Sequence, residues 1–87
     1  MIKYSIFYHP DIFKKLQKLQ PSTRQKILNI LELIEKNPRE RGLNAKKIPR
    51  SKNTYRVRIG NVRVIFGISI KERKVYVWNF TIRGNIY

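Results

Sequence analysis

The sequence contains no cysteine and a single histidine, His9, among its 87 residues. Without cysteine, a disulfide framework and thiol chemistry are excluded, and a zinc site would lack its commonest ligand. The apolar runs are far too short to span a bilayer. Charged side chains interrupt residues 1–20, which therefore have no signal-peptide core. We expect a cytoplasmic protein that has no membrane partner.

Acidic residues are also scarce, since five Asp or Glu stand against twenty Lys or Arg, a net charge of +15. This balance indicates a polyanion as partner, nucleic acid first and an acidic protein second. Residues 1–40 hold eight basic and four acidic side chains, whereas residues 41–87 hold twelve and one. The anion-binding surface is therefore expected in the C-terminal half.

The length predicts one domain over residues 1–87, and the apolar spacing predicts that it begins with a strand over residues 2–8. A first helix is expected to start at Pro10 and Asp11. A second should follow Pro21, with Ser22 and Gln25 as a capping box, and end at residues 37–38. The short break favours an antiparallel helical hairpin. The predicted helical core residues are Ile12, Phe13, Leu16, Leu19, Ile27, Leu28, Leu31 and Ile34.

Residues 39–53 show no regular spacing of apolar side chains and are interpreted as a connector. Their cations either keep a loop soluble or extend an anion-binding surface, and the sequence leaves both open. These RNA- or ribosome-binding candidates are Lys46, Lys47, Arg50 and Lys52.

Two alternating runs over residues 54–66, TYRVRIGNVRVIF, flank Gly60-Asn61, which favours a two-residue hairpin turn with positive φ angles. Such a turn places Arg58 opposite Arg63, with Arg56 on the same face. Opposed like charges destabilise a sheet by roughly 0.2–1 kcal/mol per pair. An ordinary solvated face is one explanation. An anion-binding face is favoured, because residues 41–71 contain no Asp or Glu.

After a turn near residues 71–73, a last strand is expected over residues 74–81. Apolar side chains on both of its faces predict a central position. Val75 and Val77 should share one face, whereas Tyr76, Trp78 and Phe80 should share the other and be buried. The predicted class is α+β, a small antiparallel sheet with a mixed edge on an N-terminal helical hairpin, in the order β-α-α-β-β-β.

This order, the segment YRVRIGNVRVIF and the ending IRGNIY resemble the RelE-like toxins of toxin–antitoxin systems. The resemblance covers essentially the whole chain. It implies a metal-independent, cofactor-free endoribonuclease that cuts mRNA in the ribosomal A site through attack of the ribose 2′-hydroxyl on the adjacent phosphate. The positions that match the family's catalytic residues are Arg56, Arg58, Arg63, Arg83 and Tyr87.

Guanidinium groups suit this chemistry, since they stabilise charge on phosphate oxygens by bidentate contacts. The resemblance assigns transition-state stabilisation to Arg58 and Arg63, support of the phosphate or leaving group to Arg83, and positioning of base or nucleophile to Tyr87. No general base is evident. His9 lies where the family has none, and Ile82 stands where some relatives have a histidine. Proton transfer and orientation are then left to the ribosome.

The same resemblance implies an acidic, RelB-like antitoxin in a hetero-oligomer, beside the ribosome and mRNA as partners. Two other functions stay open. One is the ParE-like branch of the fold, which acts on DNA gyrase and cleaves no RNA. The other is a catalytically inactive RNA-binding relative or a plain nucleic-acid-binding module, which would need exposed aromatic side chains among the arginines.

Overall fold

The computed structural model describes residues 4–36, 38 and 45–82. Within them lie two helices, α1 (Asp11–Gln17) and α2 (Pro21–Lys36), and five strands. Neither helix is long and apolar enough to cross a membrane. The strands are β1 (Ser5–Tyr8), β2 (Lys46–Lys47), β3 (Thr54–Ile59), β4 (Val62–Ser69) and β5 (Lys74–Ile82).

The strands form one mixed sheet in the order β1-β5-β4-β3-β2. β1 is parallel to β5, and the other neighbours are antiparallel. The predicted α+β class, element order and internal position of the last strand are confirmed. The connector prediction for residues 39–53 was wrong in part, because Lys46 and Lys47 add a short strand to the edge of β3. Residues 39–44 lie outside the described residues.

The hairpin between β3 and β4 has the predicted register. Ile59 is opposite Val62, and Arg58 is opposite Arg63. Gly60 has φ +60°, whereas Asn61 is not among the residues with positive φ. A positive φ at the first turn position alone is typical of a type II′ turn. The expectation of positive φ at both residues was therefore wrong for Asn61.

The core lies between the helices and one face of the sheet. The helices supply Ile12, Leu16, Ile27, Ile30, Leu31 and Ile34, all buried. They pack with strand residues such as Val57, Val64, Phe66 and Val75 in one hydrophobic cluster. Two predicted core residues are largely exposed, Leu28 at 40% and Phe13 at 53%. The buried stripe of α2 runs through Ile30 instead of Leu28, which is a shift of its phase around the helix axis.

The start of α2 also differs from the prediction. Pro21 is the first helical residue, a position that tolerates proline because its N–H has no intrahelical partner. Ser22 thus lies inside the helix, and the Nε2 of Gln25 donates to Oδ1 of Asn29 at 2.9 Å. The expected capping box is absent from these residues. Arg24 ties the two helices instead, since its Nε donates to the carbonyl of Leu16 at 2.9 Å.

A β-bulge interrupts the pairing of β4 and β5. Ile65 is opposite Asn79, whereas Phe66 is opposite Val77, so Trp78 is the extra residue. Because a bulge reverses the alternation beyond it, Phe80 shares the core face with Val77 and is 1% exposed. The prediction that Phe80 lies on the face of Trp78 was wrong for this reason. Asn79 stabilises the bulge, since its Oδ1 accepts the N–H of Phe80 at 2.9 Å.

Candidate anion-binding site

The face of the sheet opposite the helices, here called the open face, is not covered by any described element. Arg56 and Arg58 on β3 alternate with the buried Val57 and therefore project to this open face. Arg63 on β4 lies between the buried Val62 and Val64 and projects the same way. The structure thus brings together the three predicted hairpin arginines, here called the arginine cluster.

Arg58 and Arg63 line a shallow depression of about 310 Å³ at the turn end of the hairpin. The other lining residues are Asn61, Val62, Thr81 and Ile82. Its wall therefore combines two guanidinium groups, an amide and a hydroxyl, all able to donate hydrogen bonds to an anion. Among the described residues no acidic side chain lines the depression, so an anion entering it would meet attraction from both arginines.

Ion pairs among the described residues do not involve the arginine cluster. They join Lys36 to Glu32 and Lys74 to Glu72, and the Nδ1 of His9 lies 3.7 Å from a carboxylate oxygen of Asp11. The described carboxylates lie on the helices or, for Glu72, in the turn between β4 and β5. The positive charge of the cluster is therefore not neutralised by a neighbouring carboxylate in the described part of the chain.

The four cations of residues 46–52 do not act as one group. Lys46 is the register partner of Arg56 and extends the arginine cluster across the open face. Lys47 is opposite Tyr55, whose ring stacks on the buried Phe66 on the helix side. Arg50, with φ +68°, and Lys52 lie in the loop between β2 and β3. Only Lys46 of these four is placed by a strand beside the cluster.

The C-terminal candidates Arg83 and Tyr87 lie outside the described residues. The last described residue, Ile82, pairs with Val62, and both line the depression. β5 therefore carries the chain to the rim of the candidate site.

No imidazole or carboxylate of the described residues lines the depression. His9 precedes α1, where its Nδ1 accepts the backbone N–H of Asp11 at 3.1 Å. Glu72 lies in its predicted turn, and its Oε1 accepts from the hydroxyl of Ser69 at 3.3 Å. Among the described residues there is also no group of three or more His, Asp or Glu side chains able to hold a metal ion.

Three features of the open face were not predicted from the sequence. Asn61 and Thr81 line the depression, and Thr81 is the direct neighbour of Arg63 on β5. The pairing of β4 with β5 was the signal that would have placed Thr81 there. Trp78 was expected to be buried, but it is 48% exposed because it occupies the bulge.

No protein-family model matches the chain. The inferred toxin RelE1 of Methanocaldococcus jannaschii is 28% identical over 87 residues, which are 99% of this chain and 97% of that protein. In a crystal structure of the archaeal RelE–RelB complex from Pyrococcus horikoshii, the matching chain has a TM-score of 0.78 at 24% identity, covering 97% of this chain and 99% of that one. The chain is therefore similar over nearly its whole length to RelE-like toxins.

A further match is a chain of the RelBE2 toxin–antitoxin complex from Mycobacterium tuberculosis. It has a TM-score of 0.78 at 18% identity and covers 94% of this RelE-like chain and all of its own length. At such identities the solved structures establish the fold, which in this RelE-like protein presents the arginine cluster on an open sheet face.

Proposed function

We propose that this RelE-like protein is the toxin of a type II toxin–antitoxin system and inhibits translation as an endoribonuclease. It cleaves mRNA in the ribosomal A site and depends on the ribosome but not on a metal ion. The observation that carries the proposal is the pair Arg58 and Arg63, directly opposed on the open face and lining one depression. The similarity to the inferred toxin RelE1 supports the toxin part of this proposal.

The reaction needs stabilisation of negative charge. The ribose 2′-oxygen forms a bond to the adjacent phosphorus, and the bond from phosphorus to the 5′-oxygen breaks. The 2′-hydroxyl loses its proton and the leaving 5′-oxygen gains one, so a cyclic phosphate and a free 5′-hydroxyl result. Charge grows on the nonbridging oxygens, where Arg58 and Arg63 donate hydrogen bonds. Arg56 and Lys46 hold neighbouring phosphates.

Proton transfer is the part of the reaction for which the described residues of the depression provide no general acid or base. Arginine is a poor base because its pKa lies above about 12. His9 and Glu72 do not line the depression. The ribosome supplies orientation and proton traffic in this proposal, with Arg83 acting on the phosphate or leaving group and Tyr87 on the base or nucleophile. Free RNA is then a poor substrate.

The second part of the proposal is an acidic, RelB-like antitoxin that neutralises the toxin in a hetero-oligomer. One structural relative was solved in a RelE–RelB complex, and another in the RelBE2 toxin–antitoxin complex. The net charge of +15 favours an acidic partner. A segment that folds on binding can cover a large surface and still be removed by proteolysis.

Cleavage is tested with end-labelled mRNA in a reconstituted translation reaction, run beside the same mRNA without ribosomes. We expect cuts at A-site codons with the wild-type protein and none with Arg63→Ala. Lys26→Ala is the matched control, since it removes one exposed positive charge from α2 and leaves the open face intact. Absence of A-site cuts in the wild-type reaction would refute the nuclease, and a DNA gyrase supercoiling assay would then examine the ParE-like function.

A further inference from the structure

Three aromatic side chains form a continuous row on the open face. The ring centroids of Phe7 and Tyr76 are 5.4 Å apart with an interplanar angle of 22°. Those of Tyr76 and Trp78 are 5.8 Å apart with an angle of 15°. This aromatic row runs across β1 and β5 toward β4. Phe7 is 45% and Trp78 48% exposed, unusual for rings of this size.

Two backbone features place Trp78 at the end of the row. The bulge makes it the extra residue of β5, so its side chain is not directed into the core. Gly67 on β4 leaves space for the indole, because a Cβ at that position would lie 3.1 Å from the Nε1 of Trp78. The ring therefore extends over β4, the strand that also carries Arg63.

The two ends of the row differ. At the Phe7 end, the Nζ of Lys74 lies 5.8 Å from the ring centroid and covers part of the ring. The Trp78 end is nearer to the arginine cluster. Gly67 is four residues from Arg63 along β4, which corresponds to about 13–14 Å at the rise of an antiparallel strand. One extended nucleic-acid strand can reach both places.

The surrounding charge defines the kind of ligand. Arg56, Arg63 and Lys46 lie on one side of the row and Lys74 on the other, and the described strands contain no Asp or Glu. Rings flanked by cations suit a ligand that combines flat apolar faces with negative charge. Unpaired bases on a phosphate backbone have both properties, whereas an acidic peptide supplies only the charge.

We propose that the aromatic row is a base-stacking platform for single-stranded RNA. An unpaired base stacks on Trp78, with Tyr76 and Phe7 behind it, while phosphates of the same strand contact the arginine cluster. This proposal rests on the proposed function, since it extends the same RNA site. It identifies the substrate as a strand that is unpaired beyond the cleaved bond.

Trp78 is the only tryptophan of the chain, so its fluorescence reports directly on the platform. The probes are a single-stranded 2′-O-methyl RNA, which cannot undergo 2′-oxygen attack, and an abasic oligonucleotide of equal length. We expect the RNA to quench the fluorescence and the abasic strand to bind more weakly without quenching. Equal quenching by both strands, or no binding of the RNA, would overturn the platform.

Variants give a second measurement, by anisotropy of the labelled RNA. Loss of one stacking contact typically costs about 5- to 150-fold in affinity, which we expect for Trp78→Leu. Trp78→Phe should recover most of that loss. Phe13→Leu is the matched control, because Phe13 is 53% exposed on α1, away from the open face. An unchanged affinity of Trp78→Leu would overturn the proposal, as would quenching by polyglutamate but not by RNA, which would assign the row to a protein partner.

The two proposals fail separately in these assays. Stacking on uncleavable RNA together with absence of A-site cuts would support the platform and refute the nuclease. If Trp78→Leu cleaved A-site codons and bound RNA as well as the wild type does, the nuclease would be supported and the platform refuted.

Discussion

Arg58 and Arg63 occupy directly opposed positions on neighbouring strands, and no carboxylate from residues 4–36, 38 or 45–82 lines the depression beside them. Their mutual repulsion opposes folding. We therefore expect Arg58→Thr to raise the free energy of unfolding by about 0.2–1 kcal/mol in urea titrations at low salt, while it lowers RNA cleavage. Arg58→Lys should give no gain, because it keeps the charge. High salt should shrink the gain. A less stable Arg58→Thr would contradict the repulsion.

The two residues of the hairpin turn, Gly60 and Asn61, differ in backbone conformation, because only Gly60 has a positive φ. Gly60 has φ +60° and no atom within 4 Å of a Cβ built there, so a side chain would be opposed by backbone strain alone. We expect Gly60→Ala to lower the free energy of unfolding by about 1–2 kcal/mol. Asn61→Ala should change it by about 0.5 kcal/mol or less. Equal effects in denaturant titrations would contradict a type II′ turn.

The orientation of α2 about its axis is tested by two truncations that lie two residues apart. Ile30 is 3% exposed and Leu28 is 40% exposed. Ile30→Ala should lower the free energy of unfolding by about 2–5 kcal/mol, because it leaves a cavity in the core. Leu28→Ala should cost about 1 kcal/mol or less. If Leu28→Ala proved the more damaging change in thermal unfolding, the stripe predicted from the sequence would be correct after all.

Lys15 links α1 to the edge of β5, where its Nζ donates to Oδ1 of Asn79 at 2.7 Å and to the carbonyl of Phe80. Burial lowers the pKa of the Lys15 ammonium, and the negative charge of Asp11 partly opposes this. The unfolded chain therefore holds this proton more tightly. At neutral pH the charged Lys15 therefore lowers the free energy of unfolding by its full amount. This loss of stability disappears as pH rises from the folded toward the unfolded pKa.

An NMR titration of the Lys15 side-chain carbons checks this assignment. We expect a pKa below the ordinary lysine value, and a lower one in Asp11→Asn, which removes the opposing charge. A pKa that rises in Asp11→Asn would reverse the assigned sign.

Local signals predicted the part of the fold that positions the arginine cluster. The dipeptide Gly60-Asn61 between two alternating runs fixes the hairpin register, and with it the opposition of Arg58 and Arg63. The apolar spacing also predicted the order of elements, and the resemblance to RelE-like toxins rests in part on that order. Arg83 and Tyr87, which it assigned to the site, lie outside the described residues and stay predictions.

The errors arose where tertiary pairing overrides a local pattern. Residues 74–81 carry apolar side chains on both faces of the predicted strand, so the sequence has no signal for an extra residue at Trp78. The bulge moved Phe80 into the core and exposed the indole, which created the aromatic row. Lys46 and Lys47 have no apolar alternation and become a strand only because the edge of β3 is available for pairing. Whether Leu28 or Ile30 is buried together with Ile27 depends on the orientation of α2 over the sheet.

The central claim is that the guanidinium of Arg63 stabilises the cleavage transition state. It is tested most directly by single-turnover cleavage of ribosome-bound mRNA by the wild type, Arg63→Lys and Arg63→Ala. Loss of a preorganised donor typically lowers the rate by about 10²–10³-fold, which we expect for Arg63→Ala. Arg63→Lys should fall between that variant and the wild type, because it keeps the charge and loses the bidentate fork. Cleavage by Arg63→Ala at the wild-type rate would contradict the account.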